Sequence, residues 1–267
     1  MGHRCLARGL SDLAAMGADP LAVFLSLAIP ARLPAAWLTR FLDGFLALAR
    51  QHRVPLAGGD TAQSPSISKR GDGPIAADII AIGQLPQNSA RLRSSAQPDD
   101  YIYVTGTLGG AAAELQALSQ NPRRFSKLTQ ATPGHPHLYP EPRLEVGRRL
   151  RNLAHAMIDI SDGLSTDLTH LSQESHLAAI LDEAALPIHL LAAKSKNPLD
   201  LALHGGEDYE LLFTASPTAR IPRKIAGITI HRIGTMRKPA RRRPLITLKT
   251  SDGRNRPVEP AGWEHFR

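Results

Sequence analysis

The stretch MIDISDGLSTDLTHL, positions 157–171, joins an apolar run to a glycine-containing acidic turn and then to a helical pattern. Met157–Ile160 predicts a buried strand, and Leu164, Leu168 and Leu171 recur at the spacing of one helix face. Strands and helices in direct succession pack on one another to bury their apolar sides. This stretch therefore restricts the fold to the α/β and α+β classes.

Both halves of the chain continue this alternation. Pro34–His52 predicts an amphipathic helix with a wide apolar stripe. Ser11 predicts the cap of a short helix over Leu13–Met16, which Gly17 ends. Strands are predicted at Leu21–Ile29, Val54–Ala57, Ala76–Gly83, Tyr101–Thr105, Tyr209–Thr214 and Ile228–Ile233.

The segment Gln84–Asp100 carries the prolines and polar residues of a linker between domains. We therefore predict two domains, residues 1–93 and 94–267. A chain of 267 residues with 42% hydrophobic content is large enough for two cores.

Composition excludes several classes of protein. The apolar stretches, such as Leu21–Pro30, are too short to cross a bilayer, so we expect a cytoplasmic protein with no membrane partner. The single cysteine, Cys5, excludes an internal disulfide and a cysteine-based zinc cluster. Any metal must then be held by oxygen or histidine.

The net charge of +8 indicates an anionic partner, either nucleic acid or a phosphorylated small molecule. Its densest run, from Arg237 to Arg243, predicts a solvated loop between two strands. Because only 4% of the residues are aromatic, few rings are available to stack on bases. We expect no nucleic-acid partner, although the charge leaves a basic nucleic-acid-binding module as a competing hypothesis.

Acidic residues occur at four places that the pattern puts in turns or at strand ends: Asp12, Asp60, Asp159 with Asp162, and Glu207 with Asp208. Each has an ordinary structural explanation. Asp12 can be a first-turn acid that the helix dipole favours. Asp60 can be a turn residue whose side chain bonds its own backbone, and Asp162 can cap the next helix. Mg²⁺ is the functional alternative, since one or two carboxylates per ion suffice when phosphate completes the shell.

Six motifs in order, SDLAAMGADP, AGGDT, YVTGTLGG, PEPR, DISDGL and GGEDYELLFT, resemble the thiamine-monophosphate kinase family. This family belongs to the aminoimidazole-ribonucleotide-synthetase-like superfamily, and the closing AGWEHF also fits its tail. The resemblance implies the two-domain α/β (α+β) fold of this superfamily. It also implies ATP-dependent phosphorylation of thiamine monophosphate to thiamine diphosphate, in thiamine diphosphate biosynthesis, by direct Mg²⁺-assisted transfer.

The resemblance also assigns residues. The implied ligands of several Mg²⁺ ions are Asp12, Asp60, Asp159 and Asp162; the implied contacts to the co-substrate ATP are Gly59, Asp60, Arg93 and Ser161; and the implied contacts to the thiamine portion are Glu207 and Trp263. Phosphoryl transfer depends on positioning and charge neutralisation, so no protein nucleophile is expected.

The family normally carries a GDDAA-like motif and a TTD-like strand end before its SDLAAMGA run. Here that run begins at Ser11, so we expect residues 1–93 to form a truncated ATP- and Mg²⁺-binding domain. A homodimer is expected if this domain is complete. A remnant that binds nucleotide or thiamine phosphate without turnover is the alternative to an active kinase. Two related enzymes, selenophosphate synthetase and the hydrogenase-maturation dehydratase, carry a reactive cysteine. The position of Cys5 does not match that of either cysteine.

Overall fold

The computed structural model describes residues 1–67, 73–121, 134–241 and 243–263. The helices are α1 (Gly2–Met16), α2 (Ala35–Gln51), α3 (Gly110–Gln120), α4 (Leu144–Leu150), α5 (Leu164–Glu174) and α6 (Pro198–His204). The strands are β1 (Asp19–Ile29), β2 (Leu56–Gln63), β3 (Ala76–Gln84), β4 (Tyr101–Thr105), β5 (Met157–Asp159), β6 (Ala178–Asp182), β7 (Leu211–Ala215), β8 (Lys224–Ile225), β9 (Ile228–Arg237), β10 (Ile246–Lys249) and β11 (Asn255–Pro257).

The strands form two mixed sheets. The smaller has the order β2-β1-β3, with β1 parallel to β2 and antiparallel to β3. The larger has the order β11-β10-β6-β9-β4-β7-β5, and β8 pairs with β9. Helices pack against both sheets, which confirms the predicted class. The predicted division at residue 93 lies in the connection between β3 and β4 and stays a prediction.

Helix α1 packs in the core between the two sheets. Its Leu6 and Leu10 are fully buried in a cluster that also contains Val23 of β1 and Phe213 of β7. A second cluster fills the space between α5, α6 and the opposite side of the larger sheet. The two cores therefore meet the larger sheet from different sides, and α1 belongs to the first.

The predicted start of the first helix was wrong. Helix α1 begins at Gly2, so Ser11 lies inside it and is fully buried, rather than at its cap. Leu6 and Leu10 extend the apolar stripe towards the N-terminus, which favours the longer helix. The predicted end is confirmed, because Gly17 adopts the left-handed conformation and its N–H donates to the carbonyl of Ala14.

The predicted strand near residue 54 also ends later than expected. Strand β2 runs to Gln63, so Gly59 and Asp60 lie within a strand and not in a turn. Gly59 is paired with Leu25, and a Cβ atom at Gly59 would lie 1.9 Å from the Leu25 carbonyl oxygen. The close approach of the two backbones, and not a turn, accounts for this glycine.

The basic run starts at Arg237, the last residue of β9, and continues in the connection to β10, as predicted, although Arg242 is outside the described residues. Within the described ranges, no helix is long and apolar enough to span a membrane.

Candidate active site

A cavity of about 570 Å³ lies between α1, the turn after β5 and the segment before β7. Six of the predicted site residues line it: Asp12, Asp159, Ser161, Asp162, Glu207 and Trp263. Arg8, Ala112, Leu115, Gly206 and Tyr209 complete its wall. The structure thus brings together residues that are up to 251 positions apart in the chain, counted from Asp12 to Trp263.

Asp159 connects the end of β5 to α1. Its side chain is 4% exposed, and its Oδ2 accepts a hydrogen bond of 2.6 Å from the hydroxyl of Ser11. Burial raises the pKa of Asp159 to about 6, and the neighbouring Asp12 adds to this, whereas the Ser11 bond and Arg93 oppose it. Desolvation likewise raises the pKa of Asp12, while Arg93 and Arg8 lower it. Asp12 and Asp159 are therefore close enough to repel each other.

The turn after β5 is held by a residue that the sequence did not single out. Asp167, in the first helical turns of α5, is buried, and its Oδ2 accepts N–H groups of Ser161, Asp162 and Gly163 at 3.0 to 3.1 Å. Burial raises the pKa of Asp167 to about 8, with added repulsion from Asp159 and Asp162. The sequence carried no local signal for this role, because it depends on N–H groups that only the folded turn presents.

Asp162 does not cap the helix. Gly163 occupies the N-cap position of α5 without a side-chain cap, and Asp167 accepts the free N–H groups instead. The Asp162 carboxylate is therefore left to face the cavity. The Asp162 carbonyl accepts the N–H of Trp263 at 3.2 Å, so the same turn also places the indole.

Glu207 lies at the other side of the cavity. Its backbone is in the left-handed conformation, with a φ of 67°. Its carboxylate forms an ion pair with Arg4, and His137 Nδ1 lies 3.0 Å from its Oε2. Arg4 Nη1 in turn donates to His137 Nε2 at 2.7 Å. Burial acts to raise the pKa of Glu207, but His137 and Arg4 outweigh it and hold the pKa below its usual value. Glu207 is thus a fixed negative charge in the cavity wall.

Alternate residues of the EDYE segment face different cavities. Glu207 and Tyr209 line the cavity with the aspartates, whereas Asp208 and Glu210 line a second one of about 470 Å³. Asp208 accepts the N–H groups of Gly109 and Ala111, and so fixes the start of α3. Asp208 is therefore a structural residue, and the predicted acid pair at this position separates into two roles.

Glu210 connects two of the motifs. Its carboxylate accepts two hydrogen bonds from Arg143, at 2.8 and 2.5 Å, and a third from Thr105. Arg143 ends the PEPR motif and Glu210 belongs to GGEDYEL. Glu210 is buried and Arg143 is partly buried, and a bidentate arginine–carboxylate contact fixes orientation strongly. The two motifs thus form one structural support behind the cavity.

Three predicted residues lie outside the cavity. Gly59 and Asp60 line a separate cavity of about 440 Å³ beside Leu38 and Leu42 of α2. Arg93 does not line either one, but its charge lowers the pKa of both Asp12 and Asp159. It is therefore near the acids, whereas Asp60 is not gathered with them.

The acidic side chains of the cavity are candidate ligands for Mg²⁺. In the parts of the chain that the structure describes, no group of three or more acidic, histidine or cysteine side chains could by itself hold a metal ion. Mg²⁺ commonly binds through one or two carboxylates plus phosphate and water. The adjacent Asp12 and Asp159, whose mutual repulsion a cation would relieve, fit that kind of site.

Comparison with known proteins agrees with the fold and the motifs. The AIR synthase related protein family matches through its N-terminal domain over residues 1–85 and its C-terminal domain over residues 97–240. The fold and site thus define an AIR synthase related protein. The thiamine-monophosphate kinase of Escherichia coli K12 is 37% identical over 274 residues, which covers all of this chain and 80% of that protein.

Solved structures point the same way. The thiamine-monophosphate kinase of Stenotrophomonas maltophilia K279a is 37% identical, with a TM-score of 0.80 over 94% of this chain and 78% of that one. AaThiL complexed with AMPPCP and TMP is 27% identical, with a TM-score of 0.82 over 99% of this chain and 80% of that one. The chain belongs to the thiamine-monophosphate kinase family, which confirms the resemblance of its six motifs.

Proposed function

We propose that this protein uses ATP to phosphorylate thiamine monophosphate to thiamine diphosphate. An oxygen of the thiamine phosphate attacks the γ-phosphorus of ATP, the bond between that phosphorus and the β,γ-bridging oxygen breaks, and ADP leaves. The cavity that gathers Asp12, Asp159 and Asp162 near Glu207 and Trp263 carries the proposal. Thiamine-monophosphate kinases at 33–39% identity support it.

The acidic end of the cavity is the proposed metal site. Asp12, Asp159 and Asp162 would hold Mg²⁺ there. Asp60 lines a separate cavity, and we propose it as a further ligand at that position. When bound, Mg²⁺ neutralises the phosphate charges that these carboxylates would otherwise repel. The Ser11 hydroxyl donates to the Asp159 carboxylate, and the Asp167 carboxylate accepts the backbone N–H of Asp162, so both positions are held before any ligand arrives. Such orientation lowers the cost of assembling the reactive geometry.

The opposite end is the proposed thiamine site. Glu207 is held in its charged form by Arg4 and His137, so it can face the cationic thiazolium or the aminopyrimidine. Trp263 lines the cavity and is 65% exposed, and an indole is a side chain that can stack on that ring. Ser161, Arg93, Gly59 and Asp60 are the proposed ATP contacts.

Three further predictions are part of the proposal: the oligomeric state, the location and the division into domains. A homodimer would cover the outer face of the smaller sheet, where Ile80 is 59% and Ile82 is 44% exposed; light scattering of the purified chain measures this. A cytoplasmic location fits a reaction that consumes ATP. We retain residues 1–93 and 94–267 as the two domains, each with its own sheet.

Product analysis tests the function. The purified chain, incubated with ATP, Mg²⁺ and thiamine monophosphate, should form thiamine diphosphate, measured by chromatography. Asp162→Asn should abolish turnover, since an amide is a poor Mg²⁺ ligand. Asp43→Asn is the matched control, because Asp43 is an exposed aspartate of α2 outside the cavity. Binding of both substrates without product would instead identify a non-catalytic remnant.

A further inference from the structure

Arg8 holds an unusual place in the active-site cavity. It is the basic side chain among the residues that line this cavity, and it also lines an adjoining cavity of about 500 Å³ that shares Asp12. In α1 it lies one turn after Arg4 and one turn before Asp12, so all three side chains lie on one side of the helix. Arg8 therefore stands between the acidic end of the site and the adjoining cavity.

The guanidinium of Arg8 is not committed to another side chain. Across the described ranges it forms no hydrogen bond or ion pair, and the residue is exposed. Arg4 differs, because it is bonded to both Glu207 and His137. Burial raises the pKa of Asp12 and that of Tyr209, and the charge of Arg8 opposes both rises, so Arg8 acts on both sides of the cavity.

The charge balance of the cavity calls for such a group. Four carboxylates line it, from Asp12, Asp159, Asp162 and Glu207. A phosphorylated ligand brings more negative charge into the same space. Arginine suits phosphate oxygens because its planar fork of N–H donors matches them and stays protonated. Arg8 is thus positioned to offset the charge of an incoming phosphate.

We propose that Arg8 contacts the phosphate oxygens of a bound substrate. This inference rests on the proposed function, and it assigns a residue that none of the six motifs marks for a ligand. The contact is electrostatic and involves no transfer of a proton. Two sources of phosphate are available, thiamine monophosphate and ATP, and the ligands of the test distinguish them.

Binding measurements with paired ligands test the proposal. Calorimetry compares thiamine monophosphate with thiamine, and ATP with adenosine, for the native chain, Arg8→Met and Arg8→Lys in buffer with Mg²⁺. Arg8→Met should weaken binding of at least one phosphorylated ligand roughly ten- to a hundredfold, the size of one charged hydrogen bond. Affinity for thiamine or adenosine should not change. Arg8→Lys should recover part of the loss.

Arg40→Met is the matched control, because Arg40 is an exposed arginine of α2 outside both cavities. Unfolding temperatures should agree for all variants, since Arg8 makes no bonds in the described part of the fold. Unchanged affinity for both phosphorylated ligands overturns the proposal, and so does an equal loss for thiamine and its phosphate. A native chain that shows the Arg8 effect but forms no thiamine diphosphate overturns only the proposed function.

Discussion

The acidic turn after β5 and the acidic strand β2 carry similar residues, but only the turn is supported by the rest of the molecule. In the turn, Asp159 is bonded to Ser11, and Asp167 fixes the backbone of residues 161–163. In β2, which is an edge strand, Asp60 is exposed and its side chain makes no hydrogen bond or ion pair within the described residues. The turn is preorganised for a ligand, whereas Asp60 depends on the ligand or a partner for its orientation.

The comparison predicts unequal effects of the same chemical change. Asp159→Asn should lower kcat roughly a hundredfold or more, because a preorganised charge in a shielded site contributes strongly to transition-state stabilisation. Asp60→Asn should lower it about tenfold or less, since an exposed carboxylate is hydrated and screened. Steady-state kinetics at saturating Mg²⁺ measures both. Equal losses would show that β2 is as organised as the turn when substrates are bound.

Removing the support of the turn gives the next effect. Asp167→Ala leaves three N–H groups without their acceptor, one of them buried and two partly buried, and a buried unsatisfied group costs on the order of 1 kcal/mol or more. We expect the unfolding temperature to fall by several degrees, measured by calorimetry. Asp167→Asn keeps an oxygen acceptor and should lose less. If Asp167→Ala unfolds at the native temperature, the turn does not depend on this side chain.

The smallest expected effect concerns pH. The pKa of Asp167 is raised to about 8 in the folded state, so folding binds a proton that the unfolded chain releases from about pH 4 upward. The contribution of Asp167 to the free energy of unfolding therefore falls as pH rises between about 4 and 8 and is constant above that. Thermal unfolding in the presence of a chelator should show a shallower decline for Asp167→Asn than for the native chain. Parallel curves would contradict the raised pKa.

The sequence predicted the strands and the residues that face the cavity better than it predicted their supports. Periodicity located β1, α2 and the apolar run of β5, because each depends on local spacing. The roles of Asp167 and Asp208 depend on backbone N–H groups fixed by the folded turn, which leave no local pattern. Each of these two residues is identified by a buried carboxylate that accepts backbone N–H groups, and this arrangement exists only in the folded chain.

The different roles of Glu207 and Asp208 also could not be predicted from the sequence. Adjacent acids suggest a shared role, yet the left-handed backbone at Glu207 and Tyr209 turns neighbouring side chains towards different cavities. The sequence did not show that both sides of this segment face cavities. Likewise, the glycines of GGDT suggested a turn, because glycine is common there, while close pairing with Leu25 requires it within a strand.

The position of α1 has a consequence for how the enzyme loses activity. This helix packs on the smaller sheet, yet its Ser11 bonds Asp159 of the larger sheet and its neighbour Asp12 faces the same cavity. The distance between the Asp12 and Asp159 carboxylates therefore depends on how the two sheets are aligned. A shear of about 1 Å between the sheets can cost roughly a hundredfold in rate. Mild heat or denaturant should therefore inactivate the protein by misalignment before either core unfolds.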